Sequence, residues 1–332
     1  MNAMDVRVDG LFKYFRVHKK KAGLRSSLRG LFHRRYETVK AVDDISFSIQ
    51  QGEIVGFLGP NGAGKTTTLK CLSGLLFPTS GALSVLGFTP HRREPAFLKQ
   101  ITLVMGQRNQ LLWDLPAMET FLVNQAIYDV PQRQFQEALD ELVDLLQLEP
   151  LLDKQVRKLS LGERMKCELA ASLLHRPKVL FLDEPTLGLD VTAQASIREF
   201  ILTYNLRYVA TVLLTSHYMA DVTALAKRIL VIDQGRLIYD GNLNALIQQT
   251  APYKLLQLTL EQPVDGMDLA DLGDIQTFEG LKLTLRVPRG MTKRAAAQAL
   301  AQLPVADLTI EDPPVEEIIR EVFRRGGTSH AA

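Results

Sequence analysis

Apolar and polar positions alternate along residues 5–12 (DVRVDGLF) and 45–58 (ISFSIQQGEIVGFL), the period-two spacing of strands, and Gln51-Gly52 supplies a turn within the second run. From 54 onward the pattern switches repeatedly between strand and helix. Residues 54–58 are apolar, a Gly-rich turn follows, and 66–76 reads as a helix. Residues 101–105 read as a strand, and 132–148 carry Phe135, Leu139, Leu142, Leu145, Leu146 and Leu148 as a helical stripe. Residues 179–182, 209–214 and 229–232 are short continuous apolar runs, suited to strands buried on both faces of a parallel sheet. Such alternation predicts an α/β layer structure.

Two segments break this rhythm. Residues 16–36 carry Arg16, Lys19, Lys20, Lys21, Arg25, Arg29, Arg34 and Arg35 and no acid, while Leu24, Leu28, Leu31 and Phe32 recur at helical spacing. Near 250 the character changes. Residues 253–260 read as a strand, 275–278 and 281–287 as a hairpin around Glu279-Gly280, 292–303 as an Ala-rich helix, 308–311 as a strand and 315–323 as a last helix. The chain therefore divides into a first domain over 5–248 and a small α+β domain over 253–325, of ordinary domain size.

Composition excludes several classes. The 332 residues are 46% hydrophobic and 23% charged, which is globular usage. Lys+Arg is 39 and Asp+Glu 37, a net charge of +2, so no global case exists for a nucleic-acid partner. Cys71 and Cys167 alone make neither a disulfide framework nor a four-ligand zinc site and fit free thiols in a reducing compartment. No apolar run approaches ~20 residues, and the start MNAMDVRVDG lacks a signal-type apolar core. A cytoplasmic protein without a spanning helix is expected.

Residues 59–66, GPNGAGKT, match G-x-x-x-x-G-K-[ST] between a predicted strand and a predicted helix. Glycines let the backbone curl so that N–H groups converge on phosphate, and the helix dipole adds its positive end. Lys65 supplies a point charge for the β- and γ-phosphates of a nucleotide, and the Thr66 hydroxyl a ligand for Mg²⁺. The apolar run 179–182 ends in Asp183-Glu184. Asp183 is expected in the Mg²⁺ shell at the strand's C-terminal end, and Glu184 as the base that polarises water against the γ-phosphate. ATP and Mg²⁺ are the expected ligands.

Four further pieces narrow the family. Residues 159–164 read LSLGER before a predicted helix over 165–174; Gln107 follows the strand 101–105; residues 187–190 read LGLD; His217 follows Leu214-Thr215-Ser216. In order and spacing these resemble the Leu-Ser-Gly-Gly-Gln signature, Q-loop, D-loop and switch histidine of ABC-transporter ATPases, across roughly residues 5–248. The resemblance implies a P-loop NTPase core with an antiparallel β subdomain and a helical subdomain over about 108–175. It also implies two copies of the chain closing head to tail over two ATP molecules. Gly59, Pro60, Asn61, Gly62, Ala63, Gly64, Lys65, Thr66 and Thr67 of one copy would then face Ser160 and Gly162 of the other, with Asp190 nearby. His217 would hold the γ-phosphate and attacking water. Gln107 would touch the metal and connect to a membrane partner. Phe15 matches the aromatic that stacks on adenine, and equally reads as a core side chain. The signature departs from the family at Leu161, usually glycine, and at Glu163, usually glutamine. Leucine tolerates positive φ poorly, so an ordinary backbone is expected there.

Within the family the chain resembles ATP-binding subunits of ABC-2 type exporters of drugs, viologens and polysaccharides. The similarity runs through TTTLKCLSGLLFPTSG, MGQRNQLLWDLPAMET and the ending IEDPPVEEIIREVF. That resemblance implies a separate permease and a position on the inner face of the plasma membrane. A non-transport ABC ATPase and an importer ATPase are the alternatives. Trp113, the only tryptophan, is expected to line the groove for the permease, or else to be a buried structural residue. The basic segment 16–36 fits a solvated insertion, a contact with an anionic membrane surface, or a permease contact.

Overall fold

The computed structural model describes residues 4–18, 36–106, 108–263 and 271–328. Residues 19–35, the bulk of the basic segment with its helical spacing, lie outside the described residues, as does Gln107. The chain forms two compact units, 1–241 and 242–332.

The first unit holds two sheets. Strands β1 (Met4–His18), β2 (Tyr36–Gln50) and β4 (Ser80–Val85) form an antiparallel sheet in the order β2-β1-β4. The second sheet has the order β5-β6-β7-β3-β8-β9: β5 (Ile101–Met105), β6 (Val179–Asp183), β7 (Thr211–Thr215), β3 (Ile54–Leu58), β8 (Arg228–Asp233) and β9 (Arg236–Asn242). Its pairs β5/β6, β6/β7, β7/β3 and β3/β8 are parallel.

The unbroken apolar run of β6 follows from burial on both faces. Val179 and Phe181 pack with β1–β3 and the helix after the Gly-rich turn, whereas Leu180 and Leu182 pack with Phe121, Leu142, Leu169 and Phe200 of the helices on the other side. The Gly-rich turn leads into α1 (Lys65–Leu72). The opposite layer contains α2 (Ala117–Tyr128), α3 (Gln132–Leu146), α4 (Leu161–Leu173) and α5 (Val191–Tyr208). A short helix, α6 (Met219–Leu225), precedes β8.

Helix α4 begins at Leu161, inside the LSLGER run, rather than at 165 as expected. The cause is a capping box: Ser160 accepts from the Glu163 N–H at 3.2 Å, and the Glu163 carboxylate accepts from the Ser160 N–H at 2.8 Å. Leu161 is absent from the positive-φ residues, so the ordinary backbone expected there is what the chain adopts.

The second unit is an antiparallel sheet, β11-β12-β10-β13, built from β10 (Tyr253–Leu260), β11 (Asp274–Glu279), β12 (Lys282–Pro288) and β13 (Val305–Glu311). Leu256, Leu258, Leu283 and Leu285 bury one face against Ala295, Ala296 and Ala299 of α8 (Thr292–Gln302). Helix α7 (Leu243–Thr250) clusters with this unit, as does α9 (Val315–Thr328).

Candidate nucleotide site

The turn between β3 and α1 has no room for side chains at two of its glycines. A Cβ at Gly64, where φ is +111°, would lie 2.3 Å from the Ala41 carbonyl oxygen, and one at Gly59 would lie 2.3 Å from that of Ile232. The loop is thus clamped between β2 and β8, a clamp reinforced by the Gly235 N–H bond to Ala63 O at 3.0 Å. Helix α1 starts with no side-chain cap, so its first N–H groups remain available to an anion. Pro60, Asn61 and Gly62 are exposed, while Lys65 is buried at 6% exposure. Its ammonium donates to Gly59 O at 2.6 Å and to Pro60 O at 3.1 Å, closing the loop on itself. Burial lowers the Lys65 pKa, and the facing Glu184 and Asp183 oppose that shift. Thr67 lies on the same first turn of α1.

The acids stand opposite. Thr66 Oγ1 donates to Asp183 Oδ2 at 2.7 Å, and Thr215 Oγ1 donates to Asp183 Oδ1 at 2.7 Å. Thr215 also receives the Glu184 N–H, at 3.0 Å on its hydroxyl and 3.1 Å on its carbonyl. These bonds hold Glu184 at φ +56°, a left-handed backbone that a non-glycine residue adopts at a cost of about 1–3 kcal/mol. The His217 ring nitrogen Nε2 lies 2.7 Å from Glu184 Oε1. An ionised carboxylate only accepts, so Nε2 carries the proton in that contact.

Sequence reasoning missed four residues here. Thr215 fixes both acids. Gly106 brings β5 against them: a Cβ there would lie 2.1 Å from Glu184 O, and its N–H donates to Asp183 O at 2.9 Å. That contact places the end of β5, just before Gln107, beside the acids. Thr186 and Asp221 form a buried hydrogen-bonded pair behind them. The signals for these are two small residues at strand ends and two polar residues at fully buried positions, which only the fold exposes as unusual.

Ser160, Asp190 and His217 are exposed at the rim. The Ser160 hydroxyl accepts the Glu163 N–H within its own cap at 3.2 Å. A Cβ at Gly162 would approach Ala193 Cβ to 3.0 Å, so a side chain there would press α4 against α5. Asp190 caps α5 by accepting the Ala193 N–H at 2.9 Å. Glu163 does not face outward as a repelling charge. It turns back into the cap with Lys154 at 3.8 Å, and the Ser160 backbone N–H holds its carboxyl below the usual range.

A group whose folded pKa is depressed stabilises the fold above its unfolded pKa and loses that contribution as pH falls through the folded value. Melting temperature is therefore expected to drop on acidification below the ordinary glutamate range partly through Glu163. Glu163→Gln, which accepts the same N–H without titrating, should flatten that acid limb. Melts across pH 3–6 check it, on a scale of roughly 0.5–1 kcal/mol before solvent screening reduces it.

With this geometry in place, comparison with known proteins is decisive. A family model described as ABC transporter matches residues 42–187, and one described as the C-terminal domain of EvrA-like ABC transporters matches 252–311. The ABC transporter ATP-binding protein NatA of Bacillus subtilis is 34% identical over 237 residues, covering 71% of this chain and 96% of that protein. The chain belongs to the ABC transporter ATP-binding family. The bacitracin transport ATP-binding protein BcrA of Bacillus licheniformis is 32% identical over 226 residues, 68% of this chain and 72% of that one. A solved ATP-binding subunit of an ABC transporter shares the fold with a TM-score of 0.60 at 24% identity, over 74% of this chain and 92% of that one. The protein is thus an ABC ATPase with a P-loop NTPase fold, and ATP is its nucleotide.

Two expected contacts of the ABC ATPase remain to be placed. Phe15 lies on β1 and is half-buried, with the Lys13 ammonium 5.0 Å from its ring centroid. Its neighbour Tyr14 donates to Asp43, which also pairs with Arg236 at 2.9 Å, so this part of β1 is tied to β2 and β9. Trp113 is not a buried structural residue. It is 48% exposed beside exposed Leu112 and Leu115, and the Arg164 guanidinium of α4 sits 5.9 Å from its ring. The cysteines are buried, and burial pushes Cys71 up to about 11 and Cys167 to about 12.

Proposed function

We propose that this ABC ATPase powers an ABC-2 type exporter, two copies of the chain closing over two ATP molecules and driving a separate membrane permease. The observation that carries the reading is the Glu184 carboxylate, held by His217 at 2.7 Å and flanked by the Thr66–Asp183 pair and Lys65. Relatives named for bacitracin transport, Nod factor export and daunorubicin resistance supply the exporter direction.

ATP would lie with its phosphates over 59–67 and its base near Phe15. The hydroxyl and carboxylate of Thr66 and Asp183, 2.7 Å apart, form a hard-oxygen pair of the kind Mg²⁺ takes, with Gln107 as a third donor. When bound, that ion neutralises charge on the β- and γ-phosphates. Glu184 accepts the proton of the attacking water, His217 orients it, and Lys65 holds the γ-phosphate. Ser160, Gly162 and Asp190 of the second copy complete the enclosure, which fits the exposure of Ser160 and Asp190 at the rim of each chain.

The permease would dock at Leu112, Trp113 and Leu115, which places the ATPase on the inner face of the plasma membrane. The basic residues of 16–36 can add contact with anionic lipid, worth about 1 kcal/mol each near the surface. Trp113→Ala is expected to weaken recovery of the permease with the ATPase from detergent-solubilised membranes, while nucleotide binding stays unchanged. A hot-spot aromatic of this kind contributes about 2 kcal/mol or more. Recovery of the wild-type chain only as a free protein would contradict the transport reading.

A further inference from the structure

Behind the acids lies a buried carboxylate with no role in the chemistry above. Asp221, on α6, is 1% exposed. Its Oδ2 accepts from the Thr186 hydroxyl at 2.5 Å and from the Ser216 hydroxyl at 2.7 Å, and its Oδ1 accepts from Arg198 Nη1 at 2.7 Å. The three partners come from three different places. Thr186 follows Glu184 by two residues, in the turn closed by the Leu187 N–H bond to Glu184 O at 3.2 Å. Ser216 immediately precedes His217, and its hydroxyl receives the Tyr218 N–H at 3.0 Å, bracketing the histidine on both sides. Arg198 lies on α5, about two turns in from the Asp190 cap.

We propose that Asp221 is a positioning residue for ATP hydrolysis: it locks the Glu184 turn and the His217 loop to one another and fixes both to helix α5. The chemistry favours a carboxylate at this point. A carboxylate offers two oxygens, which here divide two hydroxyls and a guanidinium between them, and burial in a low-dielectric setting strengthens each bond. Glu184 needs outside support because its left-handed backbone is strained, and its 2.7 Å contact with His217 survives only if both loops keep their spacing. Through Arg198 the same carboxylate reaches the helix whose N-terminus carries Asp190. A shift of α5 would therefore reach the base and the histidine together.

The inference rests on the reading of Glu184 and His217 as the hydrolytic pair. Removing Asp221 itself leaves the half-buried Arg198 without this 2.7 Å partner, so the test severs the other two links and leaves that ion pair intact. Thr186→Val is nearly isosteric and deletes one hydroxyl; Ser216→Ala deletes the other; Thr186→Ser keeps the first. On the full-length chain, kcat for ATP should fall about ten- to a hundredfold in Thr186→Val and in Ser216→Ala. ATP affinity should change less than about twofold, because no link touches the phosphate loop. Thr186→Ser should restore turnover. In the double variant the losses should not multiply, since both hydroxyls act on one Glu184–His217 contact.

A Thr186→Val chain that melts earlier but keeps wild-type kcat would overturn the proposal, as would losses that multiply in the double variant. Either result leaves the hydrolytic reading standing. Normal turnover in Glu184→Gln would instead sink the reading itself.

Discussion

Glu184→Gln is expected to slow ATP turnover by about 10²–10⁴-fold while ATP stays bound. The change is isosteric and removes one capacity, the acceptance of a proton. The backbone that sets its left-handed turn is held by the Glu184 main-chain N–H donating to the Thr215 hydroxyl and carbonyl, which the substitution leaves alone. His217 Nε2–H can still donate to the amide oxygen at the position now 2.7 Å away. Asp183, Thr66 and Lys65 keep their places, so the nucleotide site keeps its shape. The loss should therefore fall on kcat and not on affinity. Single-turnover hydrolysis and retention of radiolabelled ATP after gel filtration measure both. Equal hydrolysis by variant and wild type would remove Glu184 as the base.

Lys65→Ala should abolish ATP binding at working concentrations. The ammonium faces Glu184 and Asp183, and it also ties Gly59 O and Pro60 O together. Losing charge-assisted bonds worth about 3 kcal/mol weakens affinity by about 10²-fold. The two acids would then face phosphate without the lysine's charge, which worsens the loss. Equilibrium binding of a fluorescent ATP analogue checks this, with a melting curve showing that the fold persists. Unchanged affinity would show that phosphate is held by backbone N–H groups alone.

The motifs of this fold were legible because each needs fixed residue types at fixed spacing. GPNGAGKT demanded a strand before it and a helix after it, and β3 and α1 supply them. The buried strand β6 ending in Asp183 was legible from its unbroken apolar run. Helix α5 was not, because its eighteen residues mix apolar and polar types around the axis and bury only Ile197, Phe200, Ile201 and Tyr204. Its start was marked by the Asp190 cap, a signal that the D-loop reading absorbed. The early start of α4 has a related cause: the Ser160–Glu163 box is a helix signal that lies inside the residues matching the signature. Gly106, Thr215, Thr186 and Asp221 act through long-range hydrogen bonds or close backbone approach, which no local pattern encodes.

Head-to-tail closure over ATP is tested most directly by a disulfide across the pair. The exposed Asn61 and Ser160 are replaced together by cysteine in the Glu184→Gln chain, where trapped nucleotide holds the closed state; native Cys71 and Cys167 are buried and do not compete. Oxidation with ATP and Mg²⁺ should give a linked dimer, and oxidation with ADP should leave monomers. If ATP-loaded chains that retain nucleotide never link under oxidation, two copies do not share their sites in this way.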